Sequence, residues 1–155
     1  MSPTKKENTK EKKLPSSANK SYIIKVTFPN KSYRHIRFSE KNTLEDLHLM
    51  IMATTDFFDE HLHSFFMDGV AWNENSEIRC RYDEEVPIKE SDAYFTFKML
   101  NLPVGYKFLY IFDYGDEWRF RCRVMKILDE DTDFPTVILS KGEPPIQYPD
   151  YEDED

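Results

Sequence analysis

The chain has 155 residues, 39% of them hydrophobic and 15% aromatic, with a formal net charge of -8 at pH 7, and that length limits it to a single modest core. Its two cysteines, Cys80 and Cys122, exclude a disulfide framework or a zinc-finger spacing, and no stretch approaches the roughly 20 apolar residues that span a bilayer. The charge argues against a high-affinity phosphate-backbone binder, because counterion release rewards a basic surface; only a local basic stripe escapes that objection.

Residues 1–20 hold six lysines against two acids and almost nothing apolar, which predicts a disordered basic tail. Its functional reading is an arm touching nucleic acid; its plainer reading is a solubilising tail. Tyr22, Ile24, Val26 and Phe28 alternate as the inner face of a first strand, Pro29-Asn30-Lys31-Ser32 is turn chemistry, and Tyr33 to Phe38 returns. Leu44, Leu47, His48 and Ile51 then follow helical spacing to about Thr54, behind a Thr43/Asp46 pair that resembles a capping box. His48 falls on that apolar face as a packed or boundary residue without a role of its own.

Residues 61–67 read as a strand closed by the turn dipeptide Asp68-Gly69, with 70–72 beginning its partner. Glu77 to Tyr82 alternates, placing Ile78, Cys80 and Tyr82 inward and Glu77, Arg79 and Arg81 outward. Residues 94–100 fit a short helix or a strand equally. The strongest pattern is a hairpin over 108–124. Its second arm places Trp118, Phe120, Cys122 and Val124 on one face and Arg119, Arg121 and Arg123 on the other, and Gly115 is expected to take a positive φ at its tip. Pro135 to Leu139 forms a last strand, 142–149 runs extended, and 150–155 is an acidic tail. The predicted architecture is α+β: an antiparallel-rich sheet of about five to seven strands with one or two helices packed on one face, confined to residues 21–149 between disordered termini. No targeting segment is read at the start of the chain, which places it in the cytoplasm with reduced thiols.

Two pieces of the chain resemble the plasmid pRiA4b ORF-3-like family, described as mobile-element passenger proteins. One is Thr43-Leu44-x-x-Leu47-His48 leading to His61-Leu62-His63-x-Phe65. The other is Tyr110-x-Phe112-Asp113-Tyr114-Gly115-Asp116-x-Trp118, followed by Gly142-x-Pro144-Pro145. The resemblance covers about residues 21–149 and implies an antiparallel sheet carrying helices on one side, without an established activity. The chain departs from the family pattern at Phe120, where members commonly carry histidine, and at Ile146-Gln147-Tyr148 after the proline pair.

These residues give two candidate surfaces. The first joins His61, His63, Asp113, Asp116 and Trp118. Two histidines two residues apart on a strand share a face and bind a divalent ion if carboxylates approach, yet two histidines make an incomplete zinc site, so neither metal nor cofactor is assigned. The Asp113/Asp116 pair is better read as turn chemistry, and Trp118 as core. The second candidate is an anion-binding patch of Arg119, Arg121, Arg123, Arg79 and Arg81, which requires their strands to be neighbours; its plainer reading is pairing with Glu77, Glu117 or the acidic tail. The sequence therefore points to a non-catalytic binding or interaction module of mobile-element type. Its partner is an unidentified protein or nucleic acid, the latter held weakly and salt-sensitively, and no membrane. The alternative is a metal-assisted hydrolase built on His61, His63, Asp113 and Asp116.

Overall fold

The computed structural model describes residues 19–149. The predicted basic tail up to Ala18 and the acidic tip from Asp150 lie outside them. Seven antiparallel strands form one sheet: β1 (Ser21–Thr27), β2 (Tyr33–Ser39), β3 (His63–Phe66), β4 (Glu77–Arg79), β5 (Lys107–Phe112), β6 (Trp118–Leu128) and β7 (Thr136–Lys141). Their spatial order is β4-β3-β5-β6-β1-β2-β7. Among the described residues, two α-helices, α1 (Leu44–Thr55) and the single turn α2 (Phe97–Leu100), and one 3-10 turn (Ile88–Glu90) accompany the sheet. The α+β class with an antiparallel sheet is as the sequence predicted.

Alternation makes the sheet two-faced. Tyr22, Ile24, Val26 and Phe28 on one arm and Phe120, Cys122 and Val124 on another are buried, and they join Leu44, Leu47 and Ile51 of α1 and Phe97 of α2 in one core. Both helices therefore cover the same face. Helix α1 begins where predicted: Thr43 Oγ1 accepts from Asp46 N at 3.2 Å while Asp46 Oδ2 accepts from Thr43 N at 2.9 Å, satisfying two first-turn donors reciprocally. The helix ends at Asp56, whose φ of 61° is left-handed.

Several local expectations fail for identifiable reasons. Residues 70–72 form no strand, because the Asp68 carboxylate accepts from Val70 N (3.0 Å), Ser76 Oγ (2.7 Å) and Asn73 Nδ2 (2.5 Å) and closes residues 68–76 into a loop. The alternation of β4 stops at Arg79: the amide of Arg81 is taken by Asp92 Oδ1 at 3.1 Å, the chain turns, and Tyr82 points out with 70% exposure instead of inward. Of the ambiguous stretch 94–100, only residues 97–100 are helical, forming α2 behind the cap Thr96. At the hairpin tip the positive φ values belong to Asp113 (68°) and Glu117 (49°), not to Gly115. Aspartate tolerates that region, so the turn closes without demanding glycine.

Candidate functional site

At one end of the inner face the family-like motifs converge on a buried polar cluster. His48, carried inward by α1, places Nδ1 2.6 Å from the Tyr110 hydroxyl and Nε2 2.8 Å from Asp59 Oδ2. A carboxylate only accepts, so a neutral His48 donates its Nε2–H to Asp59 and receives the Tyr110 O–H at Nδ1. The His63 ring stacks on His48 with centroids 3.7 Å apart and planes 11° from parallel, and its Nε2 lies 2.5 Å from Asp92 Oδ2. Asp92 is fully buried, and its other oxygen holds the Arg81 amide. Burial pushes the Tyr110 hydroxyl well above its ordinary value, while the His48 hydrogen bond lowers Asp59.

Burial also pulls His63 below its ordinary value, and it outweighs the opposing Asp92 hydrogen bond; His48 adds to the lowering. The groups facing His63 are His48 from α1, Asp59 from the following linker, Asp92 from the segment before α2, Tyr110 from β5 and Cys80 beside β4. A folded pKa below the unfolded one means that the unfolded chain takes up a proton that folded His63 refuses. The His63 contribution is thus intact above about pH 6.5 and lost as the pH falls below it, by at most about 1.4 kcal/mol per pH unit. Melting temperature should fall between roughly pH 7 and 5. In His63→Gln that slope should flatten, and an unchanged slope would assign the titration to other groups.

The four residues of the hydrolase reading do not form one centre. His61 Nε2 reaches Asp113 Oδ2 at 3.4 Å and the Tyr148 hydroxyl at 3.0 Å, His63 goes to Asp92, and Asp116 is exposed. His61 lies before β3 rather than on it, so the expected shared strand face is absent. Among the described residues no group of three or more His, Cys, Asp or Glu side chains is arranged to hold a metal. Asp113 serves the turn, accepting from the amides of Gly115 (3.1 Å) and Asp116 (3.3 Å). Trp118 packs edge-on against Phe57 at 5.0 Å, and its Nε1 is buried without a partner. The segment after the proline pair has a structural use: Gln147 Oε1 accepts from Phe58 N at 2.6 Å and its Nε2 donates to Phe58 O at 3.3 Å, fastening residues 144–148 to the 57–61 linker.

The second surface is the open face of the sheet. The five-arginine patch does not exist, because β3 and β5 lie between β4 and β6. Arg79 is engaged by Asp83 (3.2 Å) and Glu77 (3.5 Å), and Arg81 by Glu45 of α1 (2.9 Å). What replaces it is a row set by strand register. Lys107 pairs with Arg123, Arg123 with Lys25 and Lys25 with His35, placing four cationic or titratable side chains across β5, β6, β1 and β2. The next row runs Leu109, Arg121, Thr27, Tyr33 and Lys141. Arg119 pairs with Glu117 at 2.7 Å, but among the described residues Lys25, Lys107, Arg121 and Arg123 meet no carboxylate. His35 is lowered from its ordinary value, first by burial and then by Lys25. Two adjoining cavities of about 340 and 460 Å³ lie along these rows and share Thr27, Gly69, Leu109 and Arg121.

Sequence reasoning placed the arginine ladder outward correctly but missed Lys25 and Lys107. Lys107 was within reach, since the hairpin register sets it opposite Arg123; Lys25 depended on β1 docking beside β6.

Fold and sites together define a single-sheet α+β protein with a polar cluster beneath its helices and a basic open face. The family model of the plasmid pRiA4b ORF-3-like protein matches residues 20–148, and the chain belongs to that family. Among solved structures it is similar to the protein of unknown function MM3350 from Methanosarcina mazei Go1, at 27% identity and a TM-score of 0.61, over 79% of this chain and 70% of that one. No curated protein matches it. No helix among the described residues is long and apolar enough to cross a membrane.

Proposed function

We propose that this chain is a non-catalytic binding module of mobile-element type that holds the phosphate backbone of a nucleic acid on the open face of its sheet. The observation that carries the reading is the cross-strand row Lys107, Arg123, Lys25 and His35, backed by Arg121. Cations arrayed on neighbouring strands gain by releasing counterions from a polyanion, and an acidic body around them confines attraction to that face. The few contacts make the binding weak and salt-sensitive. About four neutralised phosphates correspond to a slope of roughly -3 in log K against log salt for a single strand.

Fluorescence anisotropy against labelled oligonucleotides tests this. Binding should be measurable at about 0.05 M salt and largely lost by about 0.2 M. The double variant Arg121→Gln/Arg123→Gln should lower the slope by one to two and leave melting within about 2 °C, since exposed arginines contribute little to stability. Sub-micromolar binding that persists at about 0.2 M salt, or binding indifferent to the double variant, would sink the proposal.

A further inference from the structure

We propose that the ligand of this face is a single strand, with its phosphates on the Lys107, Arg123 and Lys25 row and a base stacked on Tyr33. This deepens the nucleic-acid reading above and rests on it. Tyr33 stands on β2, half-buried, next to Thr27 in the second row; its ring lies 5.6 Å from that of His35, and the Lys25 ammonium sits 4.3 Å from its centroid. A ring already covered by a cation is a reachable π surface. A base arriving there replaces the ammonium, which is left beside the phosphates of the same strand, so both contacts form together.

The opposite side of the groove is raised. Gly69 lines both cavities, and Trp72 of the same loop packs on Phe66 of β3 and on Tyr114 of the β5–β6 turn, each at 5.3 Å. From β5 to β2 the row crosses three strand spacings, roughly 14 Å, a span suited to a flexible chain laid across the sheet. Reading a duplex calls for a helix or ribbon that enters its groove, and both α-helices pack on the other face. A sheet face carrying cations together with aromatic rings is the arrangement by which unstacked bases are held.

The test compares short oligothymidylate and oligouridylate, a duplex of matched length, and heparin, by anisotropy and competition at low salt. Either single strand should bind about tenfold or more tightly than the duplex. Tyr33→Ala should weaken single strands about tenfold while leaving heparin binding and the salt slope unchanged, and Tyr33→Phe should restore the affinity. If Tyr33→Ala melts early, Tyr33→Leu keeps the bulk without the π face and should show the same loss. Equal affinity for single strand, duplex and heparin, unaffected at Tyr33, overturns the single-strand assignment and leaves the polyanion reading standing. Failure to bind any of the four removes both.

Discussion

Asp92→Ala should destabilise the protein by about 2 to 5 kcal/mol, although the residue lies outside every motif that marks the family resemblance. Its carboxylate is fully buried and accepts from His63 Nε2 and from the Arg81 amide. Truncation leaves both donors unsatisfied, at about 1 to 3 kcal/mol each. The same residue bonds through its backbone to Arg79 O (2.9 Å) and receives Glu45 N (3.1 Å), so it ties the segment before α2 to the end of β4 and the start of α1. Asp92→Ala keeps those backbone bonds, so the loss falls on the two side-chain bonds, of which the one to Arg81 N holds the chain at the junction after β4. Urea titration of Asp92→Ala, His63→Ala and the double variant measures this. The cycle should show a coupling of about 1 kcal/mol or more, and additive single effects would mean that the Asp92–His63 contact does not hold the junction.

The contrast between Asp92 and the hairpin shows what kind of information was legible in the sequence. The inner and outer faces of β6, the start of α1 and the β1–β2 turn depend on residues within a few positions of each other, and period-2 or capping chemistry specifies them locally. The polar cluster depends on none of these. His48 meets Tyr110 across 62 residues and His63 meets Asp92 across 29, contacts created when α1 docks on the sheet and the segment before α2 folds back. A histidine on an apolar helix face looks the same whether hydrocarbon or another imidazole lies opposite. The basic face was half legible for the same reason: alternation showed the arginine ladder, but sheet order decided that Lys25 stands beside Arg123 and that Arg79 and Arg81 stand apart.

The hairpin itself supplies the second large effect, and it falls one register step from where aromatic size alone would place it. Phe120 is fully buried between β1, the linker after α1 and β5, with ring contacts to Phe28 (5.7 Å), Phe57 (6.2 Å) and Tyr110 (5.4 Å). Phe120→Ala should cost about 3 to 5 kcal/mol through lost transfer energy and the cavity left behind. Phe120→His should also destabilise, because the imidazole would enter a pocket walled by three rings. Trp118 is only partly buried and keeps an unpartnered Nε1, so Trp118→Phe, which deletes the orphan donor and retains the contact with Phe57, should stay within about 1 kcal/mol of the parent. Gly115→Ala should likewise be mild: Gly115 has no positive φ, and the added Cβ would sit 3.5 Å from Asp113 Oδ1, an ordinary contact. Thermal and urea unfolding of the four variants decides the order. A collapsed Trp118→Phe beside a stable Phe120→Ala would move the packing centre of the inner face to the Trp118 end of β6, whereas a stable Phe120→Ala beside a collapsed Arg121→Gln/Arg123→Gln would place the core on the other side of β6, and with it the open basic face on which the binding proposal stands.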